Sequence, residues 1–169
     1  MRHVMATTAA FALLLAGTPG RPASPKPSPA APGRAYTTWA SLEADKCAAA
    51  WLIKRFVDKN ARFSFVPVGS MVVDGIPFDT PDSDYRRSGK LSTYQVVMQK
   101  HQIRDPALDE IARIIWDIEV NKWGKRTTEE SPGVAAVIDG ITRIHKDPAD
   151  GIDASFVVFD SLYAHFRAR

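Results

Sequence analysis

The stretch Asp45–Gly69 reads DKCAAAWLIKRFVDKNARFSFVPVG, and it decides the fold. Its first half is apolar on nearly every side of a helix from Cys47 to Ile53, which is typical of a helix in the middle of a domain. Ser41 lies just upstream and is a residue type that caps helix N-termini. In the second half, Phe63 and Phe65 have the two-residue spacing of a strand. We therefore predict a capped central helix followed by a strand.

Buried positions follow from the central helix. Trp51 and Phe56 are expected in the core, together with the thiol of Cys47, the one cysteine of the chain. A single cysteine excludes an intramolecular disulfide, and a lone thiol is safest when buried. Further on, MVVDGIPF contains Asp74-Gly75, a pair that favours the turn of a β-hairpin.

The second half of the chain reads as helices. The pairs Asp105-Pro106, Ser131-Pro132 and Asp147-Pro148 each place a capping side chain before a proline, which is typical of a helix start. Apolar residues follow each pair at helical spacing and are predicted to form the core. They are Leu108, Ile111, Ala112, Ile115 and Ile118, then Val134, Val137, Ile138 and Ile141, then Ile152, Phe156, Phe159, Tyr163 and Phe166. The predicted fold class is α+β, a predominantly helical single domain with a small β-sheet from the N-terminal half.

Charge and apolar content divide the chain into three parts. We predict a secretory signal peptide over 1–23, because a basic start precedes the apolar run Met5–Ala16, which is too short to span a bilayer. A proline-rich spacer over 24–34 and a folded domain over 35–169 follow. Four of the 22 basic residues and none of the 19 acidic residues lie in 1–34, so the domain is close to neutral. That balance argues against nucleic-acid binding.

The loop PFDTPDSDYRRSGKLSTYQ, at 77–95, contains the first candidate site. Ser92 and Gln95 have the spacing of a capping box at a helix start. The candidate anion-binding residues are Arg86, Arg87, Lys90 and Ser92, because guanidinium groups and a helix N-terminus suit tetrahedral oxyanions. In the alternative interpretation, Asp79, Asp82 and Asp84 neutralise the arginines on a solvated loop.

A second candidate site is a cation site formed by Asp45, Asp117 and Glu119. Asp117 and Glu119 lie two positions apart and do not share a helix face. If the helix unwound after Asp117, their oxygens could converge on Asp45 and hold a divalent cation. The alternative is that these carboxylates close a helix and bind backbone or solvent.

Several motifs resemble one known family. The stretch quoted above, together with GIPFD, DPALDEIARIIWDIE, SPGVAAVIDGI and FDSLYAHF, is similar in order and content to the C-terminal domain of the chromate-resistance ChrB family. The resemblance covers the chain from about Trp39 to Phe166. Family members occur within a longer chromate-responsive regulator and as stand-alone, sometimes exported, proteins. This chain resembles the exported form.

Most departures from the family pattern fall on residues that could bind metal. Arg86 or Arg87 takes a histidine position, Ser92 a cysteine position and Gln95 a glutamate position. Trp116 stands at another histidine position. Glu119 takes the position of an aspartate in the family, and Lys46 that of an arginine. Most imidazole and thiol ligands are therefore gone, and the resemblance implies no metal site of the family type.

The function we predict is that of an exported, non-catalytic accessory protein of the chromate-resistance type, which binds a small oxyanion or a protein partner. It needs no cofactor, spans no membrane after signal removal, and is periplasmic or secreted. The alternative hypothesis is an enzyme with a carboxylate-held divalent metal at Asp45, Asp117 and Glu119.

Overall fold

The computed structural model describes residues 33–169. The predicted signal peptide, 1–23, and nearly all of the spacer, 24–34, lie outside the described residues. The elements in chain order are β1 (Ala35–Trp39), α1 (Ala44–Leu52), a π-helical segment (Ile53–Val57), β2 (Arg62–Val66), β3 (Ile76–Pro77), α2 (Thr93–Lys100), α3 (Pro106–Glu119), α4 (Ser131–Ile144) and α5 (Pro148–Arg167). The predicted α+β class, mostly helical with a small sheet, is confirmed.

The three strands form a parallel sheet in the order β2-β1-β3. Tyr36 of β1 pairs with Phe63 on one side and with Ile76 on the other. Parallel neighbours need a long crossover, which α1 supplies between β1 and β2. The predicted hairpin around Asp74-Gly75 is wrong, because β3 joins β1 in parallel. Gly75 is nevertheless required, since its φ is +80° and a Cβ there would meet Thr37 Oγ1 at 2.7 Å.

Helix α1 lies at the centre of the domain, as predicted. All of its residues are buried, and it contacts each of the other four helices. Trp51 has no exposed surface and its ring packs against Phe159, while Cys47 is equally buried. The core predicted from the apolar run is therefore confirmed at both positions.

The ends of the central helix differ from the prediction. It begins after Glu43, which is extended and makes no side-chain cap, so Ser41 does not cap it. At Ile53 the α-helix gives way to the π-helical segment. The wider π-turn shifts the following side chains out of the apolar face. Phe56 is consequently 37% exposed, against the prediction, although its ring still contacts Trp51.

All three predicted helices begin where the Asp-Pro and Ser-Pro pairs place them, and two of the three predicted caps are confirmed. Asp105 accepts a hydrogen bond from Ala107 N at 2.9 Å, and Asp147 accepts one from Ala149 N at 2.8 Å. Ser131 is already inside α4 and its predicted capping role is wrong. The apolar stripes are buried or partly buried except at Val137, which is 50% exposed. Over the described part of the chain, no helix combines the length and apolar character needed to cross a bilayer.

Candidate functional site

The N-terminus of α2 is closed by groups from the protein itself. Ser92 Oγ accepts a hydrogen bond from Gln95 N, and Gln95 Oε1 accepts one from Ser92 N at 3.0 Å, so the predicted capping box is confirmed. Asp45, which lies on α1, accepts hydrogen bonds from Thr93 N at 2.6 Å and Tyr94 N at 2.9 Å. The positive end of the helix is thus satisfied by an internal carboxylate.

The Asp45 carboxylate lies in an unfavourable environment for its charge. Its side chain has no exposed surface. Burial, and then the nearby carboxylate of Asp79, raise the pKa of Asp45 to about 7, against the effect of the two amide donors and of Arg87. A carboxyl group with such a pKa changes its protonation near neutral pH.

Arg87 joins three carboxylates. It donates to Glu43 Oε2 at 2.8 Å and to Glu119 Oε2 at 2.9 Å, and its Nε lies 3.7 Å from Asp45 Oδ2. Burial raises the pKa of Glu119, while Arg87 opposes that shift. Glu43 and Asp45 lie at the start of α1 and Glu119 at the end of α3, so one guanidinium group ties both of these helix ends to the loop before α2.

Lys46 and Asp79 form an ion pair next to Arg87. We call Glu43, Asp45, Lys46, Asp79, Arg87 and Glu119 the charged cluster. Lys46 Nζ donates to the carbonyl oxygens of Trp39 and Ser41, and it lies 3.7 Å from Asp79 Oδ2. Asp79 Oδ1 accepts from Thr93 Oγ1 at 2.6 Å. Burial lowers the pKa of Lys46 and raises that of Asp79. Asp79 also has a φ of +50°, a strained conformation that proteins retain where a side chain must be held in place.

The cluster borders a pocket of about 470 Å³. Its wall combines cationic, acidic, hydroxyl and aromatic groups: Trp39, Ser41, Glu43, Lys46, Asp79, Thr80, Pro81, Arg86 and Arg87. Arg86 is exposed and donates to the carbonyl oxygen of Ser83 at 3.1 Å. Of the carboxylates in residues 33–169, none lies within ion-pair distance of Arg86. Thr80 Oγ1 is buried and has no hydrogen-bond partner among these residues.

The predicted anion-binding residues are only partly brought together. Arg86 and Arg87 both line the pocket. Lys90 is exposed and outside the pocket wall, where its carbonyl oxygen accepts from Trp116 Nε1 at 3.0 Å. Ser92 is fully buried as a cap. These side chains do not converge on the α2 amides, because Asp45 already occupies them. Their role in anion binding stays a prediction.

The predicted cation-site residues divide into two places. Asp45 and Glu119 meet at Arg87, so a guanidinium lies where the prediction put a metal ion. Asp117 accepts hydrogen bonds elsewhere, from the amides and hydroxyls of Thr127 and Thr128 and from Asn121 Nδ2. In the part of the chain that the structure describes, no three His, Cys, Asp or Glu side chains are grouped to hold a metal ion.

Sequence reasoning missed two members of the cluster. From the sequence, Asp79 is only a neutralising charge on the loop, and Lys46 only a substitution at an arginine position. Both are buried in the structure and contact groups far away in the chain. The available signal was weak: a charged residue inside the apolar stretch of α1, and an aspartate directly after the buried Phe78.

Comparison with known proteins agrees with the motifs. A family model described as "ChrB, C-terminal domain" matches residues 36–166. Protein ChrB of Cupriavidus metallidurans is 30% identical over 139 residues, which cover 80% of this chain and 42% of that protein. The chain thus spans less than half the length of this curated relative. No solved structure gives a significant match. By the family model, the chain belongs to the ChrB C-terminal domain family.

Proposed function

We propose that this chain is an exported, non-catalytic accessory protein of the chromate-resistance type that binds a small oxyanion in the pocket beside Arg86 and Arg87. Membership of the ChrB family supports the chromate-resistance role at the coarse level. The apolar run Met5–Ala16 supports export to the periplasm or beyond. The pocket alone supports the ligand class.

The observation that carries the proposal is the state of Arg86. Three cationic side chains, Lys46, Arg86 and Arg87, line one pocket. Lys46 and Arg87 are engaged by carboxylates, whereas Arg86 donates to a backbone carbonyl and retains unused donors. A guanidinium group with free donors in the wall of a concave pocket is suited to a tetrahedral oxyanion. This favours an oxyanion over a protein partner, which needs a broad surface.

The pocket also explains the size of the expected affinity. Glu43 and Asp79 line the same wall and repel an anion, so binding must be weak. We expect chromate or sulfate to bind in the high-micromolar to millimolar range, about −4 to −6 kcal/mol. Acidification that protonates Asp79 would reduce this repulsion, since burial raises the pKa of that carboxyl group.

The residues near the pocket support a binding rather than a catalytic role. The buried carboxylates Asp45 and Glu119 are held by Arg87 and by the α2 amides, which leaves them poorly placed to accept a substrate proton. The Cys47 thiol is a poor nucleophile, because burial raises its pKa to about 12.

Calorimetric titration with chromate and with sulfate tests the proposal. Arg86→Ala should abolish binding without changing thermal stability, because its guanidinium is exposed. Arg104→Ala, which removes an exposed arginine outside the pocket, is the matched control and should bind like the parent protein. Added salt should weaken binding. Equal affinity in the parent protein and Arg86→Ala would exclude this pocket.

The export part needs its own test, and so does the metal alternative. N-terminal sequencing of protein from the native host should show a mature start between Gly17 and Ala35. Metal analysis of protein purified without chelator addresses the alternative at Asp45, Asp117 and Glu119. Stoichiometric metal that is lost in Glu119→Gln would favour the enzyme hypothesis over the one proposed here.

A further inference from the structure

The loop between α3 and α4, residues 120–130, holds the most exposed aromatic side chain in the described structure. Trp123 is 100% exposed. The other three tryptophans donate their indole N–H to Ser70 O, Asp160 Oδ1 and Lys90 O respectively. Within residues 33–169, the Trp123 indole has no such partner. An indole with this exposure is unusual, since tryptophan is highly buried on average.

The loop is built to hold Trp123 outward. Asn121 Nδ2 donates to Lys125 O at 2.9 Å and closes the turn around Trp123 and Gly124. Glycine at position 124 leaves room for the Asn121 amide in this turn, because a Cβ there would meet Asn121 Oδ1 at 2.0 Å. Asp117 fixes the base of the loop through Asn121 on one side and Thr127 on the other. The indole is therefore presented by a preorganised turn, which lowers the entropic cost of binding.

Basic residues flank Trp123 in the sequence. Lys122, Lys125 and Arg126 are all exposed. Lys122 Nζ reaches only 4.0 Å from Glu119, and within the described residues neither Lys125 nor Arg126 takes part in an ion pair. The acids that follow, Glu129 and Glu130, come after the clamped turn. Three cations and one indole thus share the tip of this loop.

We propose that the loop docks on an anionic phospholipid surface. Tryptophan is enriched at the membrane–water interface, where its apolar ring and its N–H are both accommodated. Lysine and arginine side chains keep their charges at the level of the headgroups and gain from anionic lipid. A protein hot spot would place the indole among further apolar groups, whereas Trp123 is the one apolar residue from Asn121 to Glu130. The near-neutral domain disfavours nucleic acid as the occupant.

Sedimentation with lipid vesicles tests the docking. The full chain should bind vesicles containing about 30% phosphatidylglycerol in phosphatidylcholine, and bind pure phosphatidylcholine vesicles far less. Trp123→Ala should lower the partition coefficient about tenfold. Lys125→Gln should lower it about fivefold, and both losses should shrink at about 0.5 M salt. Residues 1–32 are the same in every variant, so the differences report on the loop.

Two controls keep the test decisive. Met71→Ala removes an apolar side chain that is 76% exposed on another loop, and it should leave vesicle binding unchanged. Thermal melting of Trp123→Ala should match the parent protein, because the indole makes no packing contact to lose. Equal binding of Trp123→Ala and the parent protein would overturn the proposal. Equal binding to neutral and anionic vesicles would also overturn it. Binding to an acidic polypeptide without binding to vesicles would do the same.

Discussion

Asp45 and Asp117 perform similar structural tasks in two different regions. Each is a buried aspartate on a helix, and each accepts hydrogen bonds from two consecutive backbone amides in another part of the chain. Asp45 binds the amides of Thr93 and Tyr94 at the start of α2. Asp117 binds those of Thr127 and Thr128 before α4. Their acidities nevertheless move in opposite directions, to a pKa of about 7 and about 2.

The number of donors and the neighbouring charges explain the difference. Burial raises the pKa of both groups, but Asp117 also receives hydrogen bonds from Asn121 and from two threonine hydroxyls. Those donors favour its charged form. Asp45 has its two amides and a guanidinium at 3.7 Å, and it faces a second carboxylate, Asp79. A capping carboxylate therefore has a lowered pKa only where its hydrogen-bond donors have a larger effect than burial and neighbouring negative charge.

The largest expected effect is that of Asp45→Ala. It leaves the buried amides of Thr93 and Tyr94 without acceptors and removes one partner of Arg87. We expect the free energy of unfolding to fall by about 3–5 kcal/mol, measured by urea denaturation. A loss below about 1 kcal/mol would mean that Asp45 is not needed to close α2.

The pH dependence of stability separates the two carboxylates. Because the pKa of Asp45 is higher in the folded than in the unfolded protein, folding favours its protonated form. This contribution to stability is complete below about pH 4 and is lost as the pH rises toward 7, on the order of 3 kcal/mol. Asp117 has a lowered folded pKa, so its effect is complete above about pH 4 and is lost as the pH falls toward 2.

Asparagine variants of the two aspartates separate these two pH-dependent contributions to stability. Asp45→Asn should flatten the stability profile between pH 4 and 7, and Asp117→Asn should flatten it between pH 2 and 4. Burial lowers the pKa of His101, so its contribution to stability increases with pH and opposes that of Asp45. His101 is present in the parent protein and in both variants, and its contribution cancels when they are compared. An unchanged slope above pH 4 in Asp45→Asn would contradict the raised pKa.

A smaller effect is expected from Asp117→Ala. It removes the acceptor of several hydrogen bonds, but the donors of Thr127 and Thr128 lie near the surface and can turn to water. We expect a loss of about 1–2 kcal/mol, after allowing for solvent screening. Faster proteolysis within 120–130 should accompany it, because the base of that loop is released. A loss as large as that of Asp45→Ala would remove the contrast between the two regions.

The smallest effect concerns the cap beside Asp45. Ser92→Ala removes the side-chain acceptor for Gln95 N while Asp45 still binds the next amides of α2. The cost should be about 1 kcal/mol in thermal or urea unfolding. Ser92→Thr retains the hydroxyl and serves as the control. A cost well above 2 kcal/mol for alanine would show that the capping box and Asp45 are strongly coupled.

Local signals in the sequence were sufficient for much of the fold. The apolar run around Trp51 determined the central helix, and the capping residues Asp105, Asp147 and Ser92 determined three helix starts. These features depend on neighbours within a few residues. Strand β1 was missed, because a strand of mixed polarity in the middle of a small sheet carries no clear alternation.

The site depended on contacts that no local pattern reports. Sequence alone proposed Asp45, Glu119 and Arg87 as members of different sites, one for a cation and one for an anion. Only the tertiary structure decided that these residues meet one another, across separations of 32 and 42 positions in the chain. The physical reason is that burial forces opposite charges to pair. Which partners pair depends on how the helices pack around α1. That packing is set by residues that are far apart in the sequence.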